Sequence, residues 1–250
     1  FIFLIFGYLT TKFSSKKFIP FLFLILAYFA IFFTGERSNA IKILLGILIF
    51  FSLTDYIDFK RKILLFCLFL SIIFFFYKNS DFLGNRYHGI LNNFNSKDKI
   101  INQYENNIYF KLYKSGYNVY KNSPLVGVGN KNYRIISCEY EKRNALPLDY
   151  KCLTHPHQIY FEFLSEHGLI GTIIILCLIF YIMFKVLIEI IRSKNQIQLC
   201  CFIYILVQFI PLLPSGSFFT DFNATLFWLN FSIMIAANKK TNIFGEKLKI

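Results

Sequence analysis

Two histidines stand two positions apart in CLTHPHQIYFEFLSEHGLIG, residues 152–171, where a polar segment runs into a long apolar one. An imidazole that is neutral near pH 7 takes a proton from a hydroxyl, so His157 is the candidate general base. Pro156 suits the first position of a helix, which predicts a helix starting there, with Thr154 or His155 as cap and His157 in the first turn. Free N–H groups and the dipole at that end disfavour an imidazolium and favour a bound anion. The same residue also reads as an ordinary exposed loop histidine. A zinc site made from Cys152, His155 and His157 fits no standard ligand spacing, and no metal is expected.

Anion chemistry needs cations. Arg37 follows Glu36 in TGERSN, at the mouth between two apolar runs, where a guanidinium fork either clamps a phosphate or pairs with its neighbour. Arg86, Lys111, Lys114, Lys131 and Arg134 add positive charge in the polar segment further on, as a diphosphate-binding face or as plain solvated surface. Cys138 and Cys152 are near enough in sequence to close a ring; in an oxidising compartment a disulfide there would tether the approach to His157. Cys67, Cys177, Cys200 and Cys201 fall in or at the ends of apolar runs and read as small apolar residues. A phosphate-binding P-loop, a dinucleotide fingerprint and a nucleophile elbow are all missing, so ATP-driven and serine-hydrolase chemistry gain no support.

The elements that must hold these residues are apolar. At 56% hydrophobic and 20% aromatic, with mean hydropathy +0.50, the chain exceeds what one soluble core of 250 residues uses. An all-α polytopic membrane protein is expected. The net charge of +13 does not signal nucleic acid, because the cations fall at the ends of apolar runs instead of gathering on one binding face. FIFLIFGYL, which opens the chain at Phe1, is shorter than the roughly 20 residues a span needs. Residues 1–250 are therefore expected to be the C-terminal part of a longer protein, with a truncated first span. Full spans are expected over 18–33, 41–53, 63–77, 169–188, 199–213 and 222–237.

Orientation follows from the cations, because short cytoplasmic loops collect Lys and Arg. Lys12, Lys16 and Lys17, then Lys60, Arg61 and Lys62, then Arg192 and Lys194, then the tail with Lys239, Lys240, Lys247 and Lys249 form one alternating set. The expected division is spans with short loops over 1–77, a large extracytoplasmic segment over 78–168, further spans over 169–237 and a cytoplasmic tail over 238–250. Arg37, both histidines and Asp221 then share the outer side. Within the large segment, Ile101, Tyr104, Ile108 and Leu112 recur at helical spacing up to a stop at Asn122, Ser123 and Pro124. Gly127 and Gly129 in PLVGVGNKNYR then allow a tight turn.

Three pieces in order, TGERSN with Arg37 at an outer span end, PLVGVGNKNYR, and THPHQ followed by GLIG leading into a span, resemble the O-antigen ligase and O-antigen polymerase superfamily of bacterial inner membranes. The likeness covers roughly residues 30–190, and its strongest piece is the H-x10-G arrangement of His157 and Gly168. It implies a GT-C-like helix bundle with a partly helical periplasmic loop. The implied activity is an inverting glycosyltransferase that moves glycan from an undecaprenyl-diphosphate carrier to a lipid A core or another glycan, with neither metal nor nucleotide sugar. The family pattern carries the catalytic histidine onto His157 and the span-end arginine onto Arg37. A second arginine is expected near the helix before the glycine turn; this chain has Lys111 and Lys114 there, so Arg86 or Arg134 takes the role. Lys114, Arg134, His155 and Gln158 are the expected substrate contacts, and membrane lipids are expected partners.

Other readings make distinct expectations. A polymerase joining repeat units, or an enzyme attaching glycan to protein, would use the same chemistry on a different acceptor. A flippase for lipid-linked glycans would carry charges or broken helices near mid-membrane, and the expected spans hold almost none.

Overall fold

The computed structural model describes residues 2–91, 107–142 and 150–242, without the side chains of residues 88–91 and 141. All regular structure among them is helical: α1 Ile2–Lys12, α2 Phe18–Phe33, α3 Arg37–Leu53, α4 Phe59–Asn79, α5 Asp81–Leu91, α6 Ile108–Asn122, α7 Tyr133–Lys142, α8 Ile159–Ser193, α9 Gln196–Gln208 and α10 Asp221–Ala236. Ile101 and Tyr104, half of the helical spacing read from the sequence, lie outside the described residues. The chain divides into two compact units.

The first unit comprises Phe1–Asn92, Met183–Val207 and Trp228–Ile250. Its interior is aromatic. Phe6 of α1 meets Phe21 of α2 and Phe50 of α3 edge-on, at ring separations of 5.5 and 4.9 Å. Tyr28 meets Phe69 of α4 at 4.5 Å, and Phe32 stacks on Tyr87 of α5 at 5.0 Å. Apolar rings gain little from leaving lipid for protein, so in a membrane such contacts act through shape and ring geometry, about 0.5–1.5 kcal/mol each.

The second unit comprises Asn93–Ile182 and Gln208–Phe227. It holds α6, α7, the first part of α8 and the segment from Gln208 into α10. Helix α6 packs at Gly116 against Pro156 and Phe161, and Tyr113 stacks on Phe161 at 5.6 Å. The face of α6 with Tyr113 and Gly116 thus meets the segment that carries the histidines; of the spaced residues read from the sequence, Leu112 is buried and Ile108 is exposed.

Helices stand where the six full spans were expected, although α9 ends at Gln208, short of the expected Leu213. Among the described residues one helix, α8, is long and apolar enough to cross a membrane; α1, α2 and α9 are apolar but shorter. The run from Leu169 to Ile188 alone reaches roughly 30 Å at about 1.5 Å per residue, the thickness of a hydrocarbon core.

Candidate active site

Helix α8 is broken at Gly168, whose φ of 64° and ψ of −171° are not helical. A break strands amides of the following turn and carbonyls of the preceding one. The glycine turn satisfies both sets. Leu169 N–H donates to the Pro124 carbonyl at 2.8 Å and Ile170 N–H to that of Leu125 at 3.1 Å, while Val128 and Gly129 donate to the Ser165 and Glu166 carbonyls at 2.9 Å. PLVGVG therefore fixes the angle at which residues 159–167 meet the apolar run.

Helix α8 begins at Ile159, not at Pro156 as the sequence suggests. The cap is Gln158, which accepts the N–H groups of Tyr160 and Phe161 at 2.8 and 3.1 Å through Oε1. A residue with φ of 55° cannot continue into a helix, and His157 has that value. His157 accordingly lies outside the first turn, and the dipole argument for its neutrality does not hold. Burial supplies the cause instead: it pulls the His157 imidazole below its ordinary value against a backbone hydrogen bond to Ser215. The His157 carbonyl accepts the Ser215 N–H at 2.8 Å, and the ring packs edge-on against Tyr109 of α6 at 5.9 Å.

His155 lies 4.0 Å away, ring centre to ring centre. Burial first, then the neighbouring His157, pulls it from 6.5 to about 4. Its Nδ1 pairs with the Thr154 hydroxyl at 3.0 Å. The two rings form one patch that resists taking up a proton.

Glu162, absent from the candidates read in the sequence, fixes the segment opposite. It is 1% exposed, and its carboxylate accepts the Ser217 hydroxyl and, at 2.8 Å, the Phe218 N–H. Tyr160 O–H reaches the Phe209 carbonyl at 2.7 Å. Segment 209–218 is thus fastened at both ends, with Ser215 on the histidine turn between them. The signal was present: Glu162 and Glu166 sit four residues apart, on one helix face, in a stretch otherwise rich in aromatic and aliphatic residues.

Cys138 of α7 and Cys152 are joined in a disulfide. Above it, the fully buried Ser115 hydroxyl accepts the Lys151 N–H at 3.0 Å and the Tyr133 O–H at 2.9 Å, so the strand of chain approaching the histidines is held twice. Arg134, Cys138, Cys152, Leu153 and Thr154 line an open groove. Lys114 and Arg134 are both exposed, whereas Gln158 is 2% exposed with its carbonyl oxygen occupied by the helix cap.

Arg37 and Arg86 belong to the first unit and share one corner of it. Arg37 opens α3 and is exposed. Arg86 Nε lies 3.2 Å from where a side chain on Gly35 would begin. Both guanidiniums act on Tyr87, opposing the burial that raises its hydroxyl above the ordinary value. The structure thus brings Arg86, of the two arginines considered, to Arg37; Arg134 lies in the other unit with the histidines. Among the described residues, no three of the His, Cys, Asp and Glu side chains gather as a metal ion requires.

A helix long and apolar enough to cross a membrane leads out of the polar histidine segment. A family model, O-antigen ligase (Wzy_C), matches residues 21–176, and the chain belongs to that family. The family is one of glycosyl-transferring membrane proteins of the O-antigen ligase or polymerase type, acting in lipopolysaccharide biosynthesis on a lipid-linked glycan and an acceptor. No curated protein and no solved structure matches the chain.

Proposed function

We propose that the chain is a polytopic inner-membrane enzyme that transfers glycan from an undecaprenyl-diphosphate carrier to lipid A core, with its large polar segment in the periplasm. His157 takes the proton of the acceptor hydroxyl as that oxygen bonds to the anomeric carbon. The bond from that carbon to the diphosphate breaks on the opposite face, which inverts the configuration. Arg37 and Arg86 stabilise the negative charge that develops on the departing diphosphate, and no metal is needed for this.

The observation that carries the reading is the state of His157. Its backbone is held in a left-handed turn by Ser215, its ring is partly buried, and burial keeps it neutral, the form a base must have. The disulfide between Cys138 and Cys152 supports an oxidising compartment for this segment. The pairing of Arg37 with Arg86 around Tyr87 supports a phosphate clamp of two guanidiniums.

The test is complementation of a strain lacking the enzyme, read by analysis of surface polysaccharide. His157→Ala inserted at normal levels is expected to leave glycan polymer on the carrier. Restoration of full-length surface glycan by that variant would remove His157 from the chemistry. Accumulation of single repeats on the carrier, in place of polymer, would make the enzyme a polymerase.

A further inference from the structure

Leu125 and Val126, at the tip of the glycine turn, are 60% and 69% exposed, more than most apolar side chains of the chain. Their place is fixed, because the Pro124 and Leu125 carbonyls accept the first amides of the apolar run at Leu169 and Ile170. Those two residues are themselves 42% and 50% exposed, and Ile173 and Ile174 continue the exposed surface one turn further. Loop tip and helix thus make one apolar surface that, among the described residues, nothing covers.

Length decides the depth. The run from Leu169 to Ile188 is about 20 residues, enough for the roughly 30 Å of a hydrocarbon core and no more, so Leu169 stands at its boundary. A tip bonded to Leu169 and Ile170 stands there too. The turn's backbone is bonded in part, Gly127 N–H to Ser123, Val128 N–H to Ser165 and the Pro124 and Leu125 carbonyls to α8, which suits the interface, where the Leu125 and Val126 N–H groups meet headgroup oxygens or water while their side chains reach inward. Pro124 has no N–H to bond. From Ser123 to Val128 the loop carries no charge, while the exposed Lys121 and Lys131 flank it in the sequence, cations of the kind that anionic headgroups attract.

We propose that Leu125 and Val126 form a wedge inserted into the acyl chains of the bilayer leaflet at the Leu169 end of α8. The wedge sets the depth of the segment that carries His155 and His157, since the same turn is bonded to residues 165–166. Its partner is phospholipid. A second copy of the chain is a weaker occupant, because the surface continues without interruption into a helix face that a bilayer must cover.

The chain has a single tryptophan, Trp228, so a Trp228→Phe background gives a silent protein. Into it go Val126→Trp or Lys121→Trp, and each protein is reconstituted whole into vesicles of phosphatidylethanolamine and phosphatidylglycerol with brominated acyl chains. Val126→Trp is expected to emit at shorter wavelength and to lose most of its intensity to bromolipid, while Lys121→Trp is quenched by aqueous iodide instead. An iodide-quenched, bromolipid-insensitive Val126→Trp would overturn the wedge. So would protection from both quenchers, which would assign the surface to a protein contact. Both positions are exposed, and unchanged circular dichroism of each variant verifies that the comparison is between folded proteins.

Discussion

Gly127 and Gly168 meet backbone to backbone: a Cβ on either would lie 2.5 Å from the amide nitrogen of the other. Both have left-handed φ, 71° and 64°, so each is excluded from carrying a side chain by conformation as well as by space. Gly127→Ala and Gly168→Ala are each expected to destabilise the protein by at least about 1–2 kcal/mol from backbone conformation alone. Because the two share one contact, the double variant should lose less than the sum of the singles. Unfolding of the purified protein in detergent measures all three. Additive losses would show that the two glycines act separately.

Glu162 is the most consequential buried carboxylate near the histidines. Glu162→Ala leaves the buried Phe218 amide without its acceptor, at about 1–3 kcal/mol, and frees the half-buried Ser217 hydroxyl. Glu162→Gln should recover most of this: its carbonyl accepts the Phe218 amide, and the Ser217 hydroxyl turns to accept from the new NH2. Hydrogen exchange at the Phe218 amide should be fast in the Ala variant and near normal in the Gln variant. Equal exchange in the two would mean that the negative charge, not the hydrogen-bonding shape, holds segment 209–218.

Much of this arrangement was legible in residue types. Apolar runs marked the helices, and Cys138 with Cys152 marked a tether. The helix start was misread because Pro156 suits the first helical position, yet the left-handed turn at His157, set by the bond to Ser215, defers the helix to Ile159. Gln158 looked like a substrate contact because it follows the histidine; its cap bonds depend on a start site that local propensity does not fix. Glu162 was missed since its partners, Ser217 and Phe218, lie far along the chain, and only packing brings them together. The span lengths were soft for a different reason. Hydropathy marks where a chain prefers lipid, whereas helix ends depend on caps and turns such as the break at Gly168.

His155 makes stability depend on pH in a definite direction. Its value falls from 6.5 in the unfolded chain to about 4 in the fold, so between those values the unfolded chain binds more protons. Its contribution is therefore complete above pH 6.5 and is lost progressively as pH falls towards 4. The melting temperature of the protein should drop across that window, and His155→Asn should remove part of the drop. A variant whose melting profile runs parallel to that of the parent over the whole window would show that His155 is not buried as described.

His157 should set the acid limb of the reaction. Burial lowers its value against the backbone hydrogen bond to Ser215, so the neutral base persists below the ordinary histidine range. In transfer assays with a lipid-linked glycan donor, activity is expected to hold from pH 7 to below about 6.5 before it falls. His157→Ala should lose about 10²- to 10⁴-fold in rate and should also lose that acid limb, because no base remains to titrate. Arg86→Lys offers the contrast. It keeps the positive charge but not the guanidinium fork, so it should slow transfer while leaving the limb at the same pH. A residual His157→Ala activity that still declines with the parent's acid limb would place the titrating base on another residue.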